Sequence, residues 1–177
     1  MVRAFVSIGS NLEREHHIRE ALAELEESFG ELSASSLYES EAEGFEGPPF
    51  YNLVVGFDTE LTVEQVLSRL KAIERRHGRG PESRKFASRT LDLDLILYGE
   101  EVIQDSQGRI VLPREDILRY AFVLEPLAEI APNLRHPLSG ETYQALWQRF
   151  DRRKVRQTRL PLALIGYGRR PPPAPGR

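Results

Sequence analysis

The sequence predicts an α+β sandwich, an antiparallel sheet carrying helices on one face and followed by C-terminal additions. Three observations predict it. Several short segments alternate apolar and polar residues with period two, the mark of a strand with one buried face. Two longer segments repeat their apolar residues at helical spacing. Gly-, Pro- and Ser-rich breaks separate them in the order strand, helix, strand, strand, helix, strand. That order is the split βαβ pattern of a ferredoxin-like βαββαβ sandwich.

Val2, Ala4, Val6 and Ile8 form the first strand, and Gly9-Ser10-Asn11 reads as a strand-to-helix turn. From His16 to Phe29 the apolar residues Ile18, Ala21, Leu22, Leu25 and Phe29 line one helical face, with Gly30 as the C-terminal stop. Residues 32–40 alternate through Leu32, Ala34 and Tyr38 as a second strand, and residues 42–49, with two glycines and two prolines, are a loop. Tyr51, Leu53, Val55 and Phe57 form the third strand. Thr62 opens the second helix with Gln65 completing a capping box; its stripe is Val63, Val66, Leu67, Leu70 and Ile73, and Gly78 ends it. Leu91, Leu93, Leu95 and Leu97 alternate as a fourth strand facing the core. Asp105-Ser106-Gln107-Gly108 turns a hairpin between residues 102–103 and 110–111. Helices follow near 117–130 and 142–150, then a basic stretch of Arg152, Arg153, Lys154, Arg156 and Arg159. The apolar run 160–165 reads as a terminal strand, and residues 1–166 as one domain. Residues 167–177 are Pro-rich and expected to be a disordered tail.

Composition narrows the function. The chain has 177 residues, 40% of them hydrophobic, long enough for a core without staples. It has no cysteine, which removes disulfides and thiolate metal sites. A formal net charge of −3 argues against nucleic acid as a partner. Residues 1–10 reach Gly and Ser too soon for a signal peptide, and no apolar run approaches the roughly 18 residues of a membrane span. A cytoplasmic protein, monomeric and without a membrane partner, is expected.

Asp92 and Asp94 lie two apart in the fourth strand, so both point to one face with Cα atoms ~6.6 Å apart, while Leu91, Leu93 and Leu95 point to the other. Two carboxylates so close repel unless a cation sits between them. Hard oxygen ligands suit magnesium, which takes one or two carboxylates together with substrate phosphates. The same Asp-x-Asp also fits a half-exposed strand with a solvated face; Ile96 on that face argues against it. Upstream, Arg79, Arg84, Lys85 and Arg89 supply cations that could neutralise a phosphoryl transition state, or merely solvate a loop. Neither a Walker A pattern nor G-x-G-x-x-G is present. His16, His17, His77 and His136 show no metal-ligand spacing and read as exposed or helix-end residues. Phe50 and Phe122, taken alone, read as core.

The stretch Arg89-Thr90-Leu91-Asp92-Leu93-Asp94-Leu95-Ile96-Leu97-Tyr98-Gly99 resembles the signature of the 6-hydroxymethyl-7,8-dihydropterin pyrophosphokinases. Val6-Ser7-Ile8-Gly9-Ser10-Asn11-Leu12, Phe50-Tyr51-Asn52, Ile73-Glu74 with Gly78-Arg79, and Ala121-Phe122-Val123-Leu124 with Pro126-Leu127 agree in order. The resemblance covers roughly residues 2–148. It implies the ferredoxin-like fold and an enzyme of folate biosynthesis that moves diphosphate from ATP, the co-substrate, to a pterin alcohol. It implies two Mg2+ ions on Asp92 and Asp94, and a pterin held by Phe50, Asn52, Phe122, Phe45 and Ala42. ATP would be met by Lys71, Glu74, Arg79, Phe86, Arg89, Leu95, Arg109 and Arg114, with Arg79, Lys85 and Arg89 as catalytic cations. Other folate-pathway enzymes are conceivable partners. The chain departs from the family pattern on the nucleotide side. Phe86 stands where Trp is common, Ser88 for Pro, Arg114 for His, Tyr120 for Arg and Lys71 for Gln. The alternatives are a non-catalytic pterin or nucleotide-binding paralogue, a diphosphokinase for a related pterin, another two-metal transferase, and an RNA-binding module. Asp92 and Asp94 disfavour the last, since a central strand of an RNA binder carries basic and aromatic residues there.

Overall fold

The computed structural model describes residues 1–41, 47–78 and 91–167. Strand β1 (Val2–Ser10) leads into helix α1 (Arg14–Phe29), which stops at Gly30 with φ at 86°. Two short strands, β2 (Ser33–Ala34) and β3 (Leu37–Ser40), precede the long β4 (Phe50–Thr59). Helix α2 (Val63–Arg76) starts at the predicted capping box: Thr62 Oγ1 accepts from the Gln65 amide, and Gln65 Oε1 accepts from the Thr62 amide. Then come β5 (Asp92–Tyr98) and the hairpin β6 (Ile103–Gln104) and β7 (Ile110–Leu112). Asp105 Oδ1 fixes the hairpin turn by accepting from the amides of Gln107 and Arg109. Helices α3 (Asp116–Arg119), α4 (Ala121–Ile130) and α5 (Tyr143–Gln148), strand β8 (Gln157–Leu160) and a 3-10 turn (Leu162–Ile165) complete the chain.

The main sheet is antiparallel and runs β5-β1-β4-β3-β8, with β2 also on β4. The chain crosses over twice: from β1 through α1 to β2 and β3, leaving a place that β4 fills, and from β4 through α2 to β5, leaving a place that β1 fills. The expected strand over residues 32–40 is split at Ser35 and Ser36. Ser35 Oγ accepts from the Val54 amide, and the Ser36 amide turns away to the Glu129 carboxylate.

Helices cover both faces of the sheet, not one. Ala4, Val6, Ile8, Leu53, Val55, Phe57, Leu93 and Leu95 pack against Ile18, Leu22, Leu25, Val66, Leu70 and Ile73 of α1 and α2. On the other face Phe5, Val54, Ile96 and Leu97 pack against Val123, Leu124 and Leu127 of α4 and Tyr143 and Leu146 of α5. Leu97 was expected beside Leu95, but the β1–β5 register shifts: Phe5 pairs with Leu97 and Val6 with Leu95. The extra residue, Ile96, sends Ile96 and Leu97 to the same face. The expected helix over 117–130 breaks at Tyr120, whose backbone is extended. The terminal strand falls at 157–160, before the apolar run; Pro161 has no amide to continue a ladder, and Leu162–Ile165 coil into the 3-10 turn. Tyr167 packs against the first core, its hydroxyl bonded to Glu26. Among the described residues no helix is long and apolar enough to cross a membrane.

Candidate active site

Cross-strand partners share a sheet face, so register places the site. Gly9 of the central β1 pairs with Asn52 on one side and Asp92 on the other; Ser7, two residues earlier, pairs with Val54 and Asp94. Asn52, Gly9 and Asp92 therefore form a row across three strands, with Asp94 one step along β5. Phe50 extends the β4 end of this row, half-buried at the register position of Ser40. Helix α4, which opens with Phe122, packs over β4 from the same side through Val54. The structure thus brings Phe50, Asn52, Asp92 and Asp94 to one end of one face.

Contacts behind this face fix the strand of the aspartates and the Asn52 amide. Leu93, between the two aspartates, is buried in the opposite core, and its amide donates to Glu74 Oε2 at 2.9 Å, tying β5 to the last turns of α2. Asn52 Nδ2 donates to Ser40 Oγ at 3.2 Å, which orients the amide. The Phe122 ring stacks on Tyr120, centroids 4.9 Å apart and 21° between planes. Tyr120, a departure from the family pattern, therefore buttresses a predicted pterin contact.

The carboxylate pair fits magnesium by its chemistry: two hard oxygen donors on one face of an edge strand, both half-buried. Among the described residues no group of three or more His, Asp or Glu could hold a metal unaided.

The predicted nucleotide contacts are more scattered. Lys71 is exposed on α2, and Arg109 is exposed at the end of the hairpin turn. The Arg114 amide donates to Ile96 O at 3.0 Å, which docks that segment on β5, while its Nε lies 3.4 Å from Asp116 Oδ1. The Leu95 side chain is buried in the core beneath α1 and α2, so only its backbone is left for a ligand. Ala42, Phe45, Arg79, Lys85, Phe86 and Arg89 lie outside the described residues.

The parts that Gly9, Ser10, Asn11 and Arg14 play here escaped the sequence reading. Gly9 and Ser10 belong to β1 rather than to a turn. A Cβ on Gly9 would stand 2.8 Å from Asn52 Oδ1, closer than real contacts allow, so the bare glycine is what lets the Asn52 amide lie over β1. A glycine ending a strand pattern is the available signal for such close approach. Asn11 Nδ2 donates to Pro48 O at 3.2 Å and Arg14 to Pro49 O at 3.1 Å, so the start of α1 holds the segment leading into Phe50. The Arg14 guanidinium also lies 3.6 Å over the Tyr51 ring and pairs with Glu39.

Comparison with known proteins decides the family. Residues 5–132 match the model of the 7,8-dihydro-6-hydroxymethylpterin-pyrophosphokinase (HPPK) family. The chain belongs to that family. Among HPPK relatives, the 2-amino-4-hydroxy-6-hydroxymethyldihydropteridine pyrophosphokinase of Haemophilus influenzae is 35% identical over 161 residues, 88% of this chain and 98% of its own length. The protein of the same name from Pseudomonas aeruginosa is 37% identical over 139 residues, 76% of this chain and 84% of its own. Among solved structures, Plasmodium falciparum HPPK-DHPS with pteroate superposes at a TM-score of 0.67 and 15% identity, over 84% of this chain and 42% of that one. That likeness concerns the fold, and this chain matches less than half of that protein. The HPPK match spans β1 through α4, so it contains the whole row from Asn52 to Asp94 together with Phe122.

Proposed function

We propose that this protein transfers the diphosphate of ATP to the hydroxymethyl group of 6-hydroxymethyl-7,8-dihydropterin on the face bearing Asn52, Gly9, Asp92 and Asp94. The observation that carries the reading is the row itself. One glycine separates an oriented amide from a carboxylate pair, so a flat heterocycle bound by Asn52 would present its side chain toward the aspartates. Phe50 and Phe122 supply rings for stacking, an arrangement that suits an aromatic ligand. The alcohol oxygen forms a bond to the β-phosphorus, the bond from that phosphorus to the α-bridging oxygen breaks, AMP leaves with the bonding pair, and the alcohol proton is lost. Two magnesium ions on Asp92 and Asp94 would supply neutralisation of the triphosphate charge. The chain's own part is to position the two substrates and to stabilise charge as it develops. Glu74 keeps the Asp92–Asp94 strand in place, and Arg79, Lys85 and Arg89 are assigned to the phosphates. Arg109, Arg114, Lys71, Phe86 and the Leu95 backbone are assigned to the nucleotide, and Ala42 and Phe45 to the pterin.

The strand order, with both crossovers interleaved, supports a ferredoxin-like sandwich extended by β8 and by the helices on the second face. A relative in Chlamydia trachomatis, 32% identical over 145 residues, is named a folate synthesis bifunctional protein. That fusion favours another folate-pathway enzyme as a neighbour of this chain.

AMP release from MgATP, measured with and without the pterin, tests the reaction. Pterin-dependent AMP without ADP is expected; ADP, or AMP formed regardless of pterin, would overturn it. Gly9→Ala tests the geometry. Its methyl group would displace the Asn52 amide, so the pterin dissociation constant should rise roughly tenfold, about 1.4 kcal/mol, with ATP binding unchanged. Equilibrium titration of each ligand reads both.

A further inference from the structure

Where α1 meets the end of α2 there is a buried cluster that the reaction as written does not use. His17 and His77, expected as exposed or helix-end residues, are 9% and 8% exposed, and His77 does stand at a helix end. Their Nδ1 atoms face each other at 2.6 Å, with ring centroids 4.9 Å apart and planes at 69°. His77 Nε2 lies 2.9 Å from Glu24 Oε2, and Arg76 Nε donates to the other oxygen of that carboxylate at 3.1 Å. His17 Nε2 is 3.7 Å from Glu13, and the His16 ring is edge-on at 5.1 Å. Among the described residues the charged and titratable groups around the pair are thus Glu13 just before α1, His16 and Glu24 of α1, and Arg76 of α2.

Two facing Nδ1 atoms attract only when one of them carries a proton and the other a lone pair. The Glu24 carboxylate calls for a proton on His77 Nε2, which leaves His77 Nδ1 to accept and His17 Nδ1 to donate. Burial, and then His77 and His16, hold the His17 pKa below its ordinary 6.5, with Glu13 pulling the other way. The unfolded chain therefore binds more protons below 6.5. What the neutral His17 contributes to stability is present above that pH and lost as pH falls from 6.5 toward the lowered value.

The pair sits on a turn with a second attachment. His77 caps α2, and Glu74, three residues earlier, accepts from the Leu93 amide between Asp92 and Asp94. A continuous chain of contacts runs from α1 through His17 and His77 to the last turn of α2, and through Glu74 to β5. We propose that His17, acting through His77, is a positioning residue for the metal site, fixing the helix turn from which Glu74 holds the strand of Asp92 and Asp94. The inference rests on the reading of those aspartates as magnesium ligands.

His17→Leu and His17→Gln separate it from a merely structural role. Leucine removes the N–H that faces His77 Nδ1, whereas glutamine still offers one. Loss of an outer-shell contact weakens metal sites by roughly tenfold or more. The magnesium concentration for half-maximal AMP release should rise about that much in His17→Leu, with the pterin KM unchanged, and return toward wild type in His17→Gln. The Leu93 amide resonance should move in the leucine variant and be restored in the glutamine variant. Equal behaviour of both variants, or an unmoved Leu93 amide, overturns the proposal. An amide that moves and is rescued, in a protein whose turnover ignores magnesium, sinks the metal reading and keeps the contact chain. Should His17→Leu fail to fold, wild type decides by nitrogen-resolved NMR. One proton coupled to both Nδ1 atoms supports the pair; two histidines titrating independently refute it.

Discussion

Asp94→Ala should lower turnover roughly 10³-fold or more and leave the fold standing. Asp94 faces the site from an edge strand, while its neighbours Leu93 and Leu95 anchor β5 in the helix-side core, so removing the carboxylate takes nothing from that packing. The melting temperature should therefore stay close to wild type, since that packing is kept. The loss is confined to the loaded state, where a metal would have one carboxylate in place of two. Removing a single preorganised electrostatic group typically lowers kcat by 10²–10³-fold, and losing a metal ligand should reach the upper end, roughly 10³-fold or more. AMP release beside a thermal melt reads both halves. A near wild-type rate would remove the metal assignment; a collapsed melt would mean that Asp94 serves the fold.

Phe57→Ala has the largest expected effect on stability. Phe57 is fully buried on the helix face of β4, and its ring stacks on Phe29 at 4.3 Å and 13°. Truncating a buried phenylalanine costs about 3–5 kcal/mol in transfer and cavity terms. That is a large share of the 5–15 kcal/mol typical of a whole domain. The urea midpoint should fall accordingly, while kcat of the folded fraction at low temperature stays near wild type. A loss under about 1 kcal/mol would mean that Phe29 closes the cavity.

What could be read from the sequence was what is decided locally. The Thr62–Gln65 box, the Asp105 turn and the shared face of Asp92 and Asp94 depend on a few consecutive residues, and each takes the expected form. What could not be read depends on partners distant in the chain. His17 borders the stripe of Ile18, Ala21, Leu22 and Leu25, and nothing near it in sequence announces that His77, sixty residues on, will meet it. The extra residue Ile96 matters only against the register of β1, and a strand pattern read alone sends Leu97 to the wrong side. Strand β8 pairs with β3, and its Arg159 meets Glu129, which also accepts from Tyr38 and Ser36, all contacts distant in the chain. The second helical layer was hidden because α4 and α5 are short and no periodicity says which face of a sheet they will cover. For the active site, the aspartates and Asn52 could be named, but the bare Gly9 between them shows its use only once three strands are aligned.

The central place of β1 has a consequence for how the protein is made. The residues of β1 leave the ribosome well before their partners: Val2 waits for Thr59 and Gly9 for Asp92. At roughly 5–20 residues per second, the opening strand spends several seconds as an apolar segment with both edges unpaired. Long-range pairings of this kind are slow to form and exposed to aggregation while they wait. Catalytic competence would then arrive late, as one event, when β5 closes against a strand synthesised some ninety residues earlier.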